Sequence, residues 1–274
     1  MPSPAKPERS AWRKYLILPT LIRLSRSAPK NRTLAWDAYW AGIASTGARS
    51  EVLWDSGTDH ELVGYRDVLQ RHFDPDLPVV DVGCGHGAFT RALAVFSPQV
   101  LGVDVSAHAV ARARDESEGI EKVSFLARDM TQPGAAAGLV GATDANVFVR
   151  GVLHVLDAAD QAALMENLRQ LVGVRGTVFL AETNFRGNSV EYVAHLGASV
   201  RNIPAPLELA IRKLPMPGHF GPEELARVMP LDRWTLVEDG AATIETNPLM
   251  DAAGSSRVPG YFAVLKARGL TTSQ

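Results

Sequence analysis

The chain has 274 residues, 46% of them apolar, a net charge of −2 and one cysteine. Such a length buries a full core as one domain or one domain with an insertion. One cysteine excludes a disulfide scaffold or thiolate-rich metal site, and the histidines show no HExxH or other ligand spacing, so no bound metal is expected. No apolar run reaches the ~18–20 residues of a membrane span, which makes a cytoplasmic protein the plain expectation.

The charge is unevenly placed. Residues 1–35 carry Lys6, Arg9, Arg13, Lys14, Arg23, Arg26, Lys30 and Arg32 against Glu8 alone, +7 in all, which leaves −9 on the remainder. An acidic main body repels a polyanion, so a nucleic-acid substrate is disfavoured. Trp12, Tyr15, Leu16, Ile17, Leu18, Leu21, Ile22 and Leu24 interleave these cations, while charges and Pro19 interrupt any secretory apolar region. A lid over a pocket or packing against a second subunit is the favoured reading of this arm. Peripheral membrane contact through residues 10–26 is the alternative, and residues 1–9, with three prolines, are expected to be disordered. The oligomeric state stays open.

Residues 1–58 are read as the arm and lid, 59–268 as the main domain and 269–274 as a tail. Three tryptophans, Trp36, Trp40 and Trp54, fall within nineteen residues of the arm. Asp59–Phe73 then carries Leu62, Val63, Tyr65, Val68, Leu69 and Phe73 at helical spacing.

Val79–Val82 reads as a buried strand that breaks into Gly83-Cys84-Gly85-His86-Gly87 and a helix with Phe89, Leu93, Ala94 and Phe96 as its apolar positions. Glycines let amides at a helix N-terminus approach a ligand closely. Gly83, Gly85 and Ala88 also satisfy the relaxed dinucleotide pattern, so the loop alone leaves NAD open. Cys84 is a small filler of the turn, and His86 is expected in solvent. Gln99–Val105 is a second strand closing at Asp104, 23 residues after Asp81, and an acid there suits a ribose diol. Ser106 caps a helix over Ala107–Arg114. Lys122–Met130 is a third strand, closing at Asp129.

Asp144–Arg150 is the fourth strand, and its exit, Arg150-Gly151-Val152-Leu153-His154, lies at the carboxyl edge where ligands sit in open α/β sheets. Asp157–Val172 is a helix and Gly176–Glu182 the fifth strand. Residues 187–218 exceed an ordinary crossover and read as a cap of two helical stretches, Val190–Val200 and Pro206–Leu214, punctuated by Pro204, Pro206, Pro215 and Pro217. Gly221-Pro222 opens the next helix, and Trp234–Asp239 and Tyr261–Ala267 are the last strands.

With Asp81, Gly83, Gly85, Gly87, Asp104 and Asp129 in register, roughly residues 55–268 resemble the class I S-adenosylmethionine-dependent methyltransferases. The resemblance implies an α/β fold: a doubly wound, mostly parallel seven-stranded sheet of order 3-2-1-4-5-7-6, with a helical arm and a cap after strand five. It implies S-adenosylmethionine as cofactor, with Asp81, Gly83, Cys84, Gly85, Gly87, Asp104, Val105, Asp129, Met130 and Arg150 around it and Asp129 reaching the adenine amino group. In that family the segment before the first strand often closes over the cofactor and shapes the acceptor pocket. Tyr39 and Trp40 are the lining candidates, with anchoring of an N-terminal helix as the alternative.

Arg150 and His154 are the catalytic candidates, each with a structural alternative: an ion pair for Arg150, packing at a helix start for His154. No His–Asp pair is evident. No Asn-Pro-Pro-Tyr-like element follows strand four, which argues against amino methylation of nucleobases or glutamine. An apolar cap containing Arg201, Arg212 and Lys213 suits a small hydrophobic acceptor, foremost a fatty acid or similar carboxylate held by Arg212, which needs no base. A phenolic or amine metabolite, needing a base such as His154, is the alternative. A non-catalytic cofactor-binding or membrane-associated protein and an NAD-linked oxidoreductase remain open.

Overall fold

The computed structural model describes residues 11–141, 144–247, 249 and 256–268. The expected disorder of residues 1–9 and the tail at 269–274 lie outside them.

Seven strands form one sheet in the order β3-β2-β1-β4-β5-β7-β6. They are β1 (Val79–Val82), β2 (Val100–Asp104), β3 (Val123–Ala127), β4 (Asn146–Arg150), β5 (Val178–Thr183), β6 (Trp234–Glu245) and β7 (Arg257–Ala267). The first five pair in parallel, and β7 runs antiparallel to both β5 and β6. This is the order the resemblance implies. The central strands β1, β4 and β5 are almost wholly buried, because helices cover both faces of a parallel sheet, and this is why they read as unbroken valine-rich runs. On one face Phe148, Phe179 and Phe262 stack across β4, β5 and β7, with centroids 5.3 and 6.0 Å apart. Val80, Val82, Val147, Val149 and Leu180 fill the other face.

Several helix starts follow from their caps. Ser106 accepts a hydrogen bond from Ala109 N at the start of α5 (Ala107–Asp115), and Asp157 from Asp160 N at α6 (Ala158–Val172). Helix α3 (His60–His72) precedes β1, and α4 (Ala88–Leu93) follows the glycine turn. The arm consists of a 3-10 segment Ala11–Ile17, α1 (Leu18–Ser25) and α2 (Arg32–Ala41), which Asn31 caps through Leu34 N. The cap holds α7 (Ser189–His195) and α8 (Ala205–Lys213). Arm and cap meet: α1 packs on α8 and the 3-10 segment on α7, with Lys14 Nζ 2.6 Å from Glu191.

Several boundaries differ from the sequence reading, and β3 ends at Ala127 rather than Met130. Helix α7 stops at His195 rather than Val200, because the chain turns back at Gly197 with φ of 94° and Ala198 N donates to Val193 O. The last hairpin is longer than expected at both strands. Gly240-Ala241-Ala242 gives no strand signal, yet it pairs opposite Phe262-Tyr261-Gly260. Small residues are needed there because a Cβ on Gly240 would lie 2.9 Å from the Phe262 ring.

Candidate active site

A cavity of about 220 Å3 opens at the carboxyl ends of β1, β2 and β4, between arm and cap. Its two ends differ in chemistry.

At one end is the glycine turn. Gly83 N and Cys84 N both donate to Val103 O, at 2.8 and 3.2 Å, which ties the turn to β2. Gly85, at φ of 54°, donates its N–H to Asp104 Oδ2 at 2.9 Å, while Ser106 N donates to Oδ1 at 2.8 Å. Asp104 is buried, and its carboxyl is raised above the usual range by that burial despite these donors. A Cβ on Gly85 would lie 2.9 Å from the Trp40 ring, so the arm's indole seats directly on the turn. Val105 and Met130 add apolar wall. Asp81 lines the cavity with its carboxylate engaged by Thr90 Oγ1 at 2.6 Å, and burial pushes it up to about 7. Gly87, expected at the cofactor, does not line the cavity; its missing Cβ makes room for the Phe125 ring instead.

Three contacts from the arm close over this end. Arg32 reaches Asp129 (2.9 and 3.0 Å), Thr131 Oγ1 (2.7 Å) and Asp160 (2.9 Å). Asp37 accepts from Ser106 Oγ at 2.8 Å, and Asp55 lies 3.1 Å from His86 Nε2. Asp129, expected to reach an adenine amino group, lines the cavity but is already held by the arm. Burial alone would raise its carboxyl, and the bonds from Arg32 and Thr131 bring it below the usual range. His86 departs from expectation: it is buried beside Trp40, with centroids 5.9 Å apart, because Asp55 draws it inward.

The other end is apolar, walled by Trp54, Tyr192, Leu207, Ile211, Leu214 and Ile244. His154 sits here with Nδ1 2.6 Å from Glu182 Oε2. Glu182 closes β5, is 0% exposed, and also accepts backbone N–H bonds from Val152, Leu153 and His154 at 3.0, 2.8 and 3.3 Å. The imidazole is thus oriented by a fixed carboxylate, and Nε2 has no protein partner among the described residues. A His–acid pair therefore exists where the sequence made none evident, since 28 residues separate its members.

Arg150 lines the cavity, but its guanidinium is engaged in the ion pair that was its alternative reading. Its Nε and Nη2 bond Glu61 at 2.9 and 2.7 Å, and Nη1 and Nη2 bond the carbonyls of Trp54 and Glu245 at 3.3 and 3.0 Å. Four of its five N–H groups are thereby committed, so its ion-pair alternative prevails. Glu61 also accepts Glu245 N at 2.7 Å. Arg212 is corrected as a substrate anchor: it is 46% exposed and pairs with Glu208 one helical turn away, because α8 turns Leu207, Ala210 and Ile211 inward. Arg201 is exposed too, and neither it nor Lys213 lines the cavity. Tyr39, expected in the lining, is buried behind it among Trp36, Trp40 and Trp54, with its hydroxyl donating to Glu51 O. Trp40 does line the cavity, at the glycine turn.

Glu61, Trp54, Glu182 and Thr246 were missed. Trp54 had a signal as the third indole of its cluster; Glu61 and Glu182 read as ordinary helix and strand-end acids. Thr246 gave none. Its buried Oγ1 faces the cavity wall with no hydrogen-bond partner among the described residues. Among those residues no cluster of three or more His, Cys, Asp and Glu could hold a metal.

A family model described as "Methyltransferase domain" matches residues 79–176. A solved S-adenosylmethionine-dependent methyltransferase from Anabaena variabilis ATCC 29413 superposes with a TM-score of 0.75 at 27% identity, over 88% of this chain and 97% of that one. A ubiquinone biosynthesis O-methyltransferase of Leptothrix cholodnii is 33% identical over 110 residues, 39% of this chain and 45% of that protein. A 23S rRNA (uracil(1939)-C(5))-methyltransferase of Xanthomonas oryzae is 43% identical over 60 residues, 21% of this chain and 14% of that protein. The chain thus spans less than half the length of either curated relative.

Sheet order, glycine turn and strand-end acids define a Rossmann-like nucleotide-binding α/β protein. The match over residues 79–176 and the likeness to the Anabaena structure identify a class I S-adenosylmethionine-dependent methyltransferase domain, with S-adenosylmethionine as its cofactor. The site fits that group. Asp104 retains lone pairs for a ribose diol, and Met130 and Val105 offer an apolar flank.

Proposed function

We propose that the protein methylates a hydroxyl oxygen on a small, largely apolar acceptor, most simply a phenol, with His154 receiving the proton. When bound, S-adenosylmethionine supplies an already activated methyl group, so the protein's part is to orient the acceptor, exclude water and take up a proton. The observation that carries this reading is the His154–Glu182 pair at the apolar end of the cavity. Glu182, pinned by three backbone N–H groups, fixes the imidazole through Nδ1 and leaves Nε2 to accept a proton from a nearby acceptor. A phenol, with a pKa near ~10, needs that acceptor; a carboxylate, near ~4, does not.

A fatty-acid acceptor loses its support once Arg212 and Arg201 face solvent and Arg150 is paired to Glu61. The partial likeness to a ubiquinone biosynthesis O-methyltransferase agrees with an oxygen acceptor. The test incubates the protein with S-adenosylmethionine and separate panels of phenols, fatty acids and amines, and reads products by mass. Methylated phenols that vanish with His154→Ala support the reading. Methyl esters formed equally well by His154→Ala would overturn it.

A further inference from the structure

Helix α1 is apolar on two sides. Leu21 and Leu24, with Ile17 before them, are buried towards the cap. Leu18 and Ile22, one turn apart, point outward with Leu16 and the ring of Tyr15, whose hydroxyl meets Glu191 and Asn188 of the cap, and Leu34 of α2 is exposed as well. These five hydrophobics are between 41% and 63% exposed. They make up five of the thirteen large hydrophobics exposed among the described residues, while most of the others are scattered singly over the molecule. An outward apolar stripe has no folding role of its own.

The arm's own charge around the stripe is of one sign, and Glu191 of α7, within 3.4 Å of the Tyr15 hydroxyl, is paired with Lys14. From Arg9 to Trp36 the sequence has no Asp or Glu. Arg23, Arg26 and Lys30 are exposed beside it, whereas Arg32 is spent on Asp129 and Asp160. A second copy of the chain docking on this face by a two-fold axis would set cations against cations. Apolar side chains ringed by Arg and Lys on a short helix match an anionic lipid surface, into which such a helix sinks its apolar face while its cations meet the headgroups. No helix among the described residues is long and apolar enough to cross a membrane, so attachment would be at the surface.

We infer that residues 15–34 are a docking face for an anionic bilayer. The same helix lies on α8, whose Leu207, Ala210 and Ile211 wall the apolar end of the cavity, and Ser27 Oγ donates to Arg212 O at 3.2 Å. Docking therefore brings the acceptor chamber beside the lipid phase, where an apolar phenol accumulates. That last step rests on the acceptor reading above; the attachment does not.

Flotation of the full chain with phosphatidylcholine vesicles, alone or mixed with phosphatidylglycerol, tests it without reference to turnover. The chain floats with the mixed vesicles, stays behind with the neutral ones and is released by salt. Arg23→Glu with Arg26→Glu lowers the bound fraction about tenfold or more, and Leu18→Ser with Ile22→Ser also abolishes flotation. S-adenosylmethionine binding by calorimetry stays at the wild-type value in both variants, which shows that they are folded. Absence of flotation, or flotation unchanged in both variants, overturns the inference. So does a concentration-dependent dimer that Ile22→Ser dissolves while vesicles bind nothing.

Discussion

The donor end and the acceptor end of the cavity are made by opposite means. The donor end comes largely from one stretch, Asp81 to Asp129, in which each strand hands its last residues to a turn. Gly85 and Ser106 both reach Asp104 within that stretch. The acceptor end draws on Trp54, Glu61, Arg150, Glu182, the cap and Ile244 to Thr246, brought together only by the finished sheet. Local construction leaves a pattern in sequence; assembly from afar does not. The two ends should also fail separately when perturbed.

The largest separation is expected at His154. His154→Ala should lower kcat by about 10²–10⁴-fold, the usual worth of a positioned base, with S-adenosylmethionine affinity and melting temperature near wild type. Partial rescue by added imidazole would identify the missing function as proton uptake. A fall in donor affinity instead would merge the two ends.

Glu61→Ala should cost about 3–5 kcal/mol in chemical unfolding, because it strands the buried Arg150 guanidinium without its counter-charge. Gly85→Ala comes next. A side chain at φ of 54° against Trp40 costs about 1–3 kcal/mol. It should weaken S-adenosylmethionine binding measured by calorimetry while leaving the KM for the acceptor unchanged.

The arm's grip on the donor end has a pH signature. Burial works to raise the Asp55 carboxyl, but its pairing with His86 and the N–H groups of Gly47 and Gly57 hold it at about 2, below its ordinary 3.8. A depressed acid stabilises the fold above its unfolded value and loses that contribution as pH falls through the folded one. Wild type should therefore lose stability relative to Asp55→Asn between about pH 4 and pH 2, read as converging melting temperatures. Parallel curves would detach Asp55 from the arm's closure.

The smallest effect is expected at Thr246. With no partner for Oγ1, Thr246→Val should leave stability within about 0.5 kcal/mol. It should raise the acceptor KM only for acceptors bearing a second polar group, sharpening what the chamber reads.

This contrast explains what was legible in the sequence. The glycine turn, Asp104 and the Ser106 cap were readable because each depends on neighbours in the chain, whereas the sheet order came with the family resemblance alone. His154 was visible as a residue but not as half of a pair. Arg150 was placed at the right strand end with an ion pair as one of its two readings, but its partner could not be named, because Glu61 lies 89 positions away on a helix that looks ordinary. Arg212 failed for a different reason: a count of cations in the cap cannot tell which face of α8 carries them. His86 was misjudged because the residue that draws it inward, Asp55, belongs to the arm.

The staple formed by Arg150 and Glu61 also governs when the molecule can be completed. It ties the carbonyl of Trp54, the start of α3, the tip of β4 and the backbone of Glu245, so its contacts span most of the polypeptide. Long loops must close before such contacts give anything back, and distant pairings come late in assembly. During synthesis the nucleotide-binding half can form as soon as its strands emerge, whereas the floor of the chamber waits for the final hairpin. A nascent chain halted before Glu245 would thus be ready to hold its donor and have nowhere to put an acceptor.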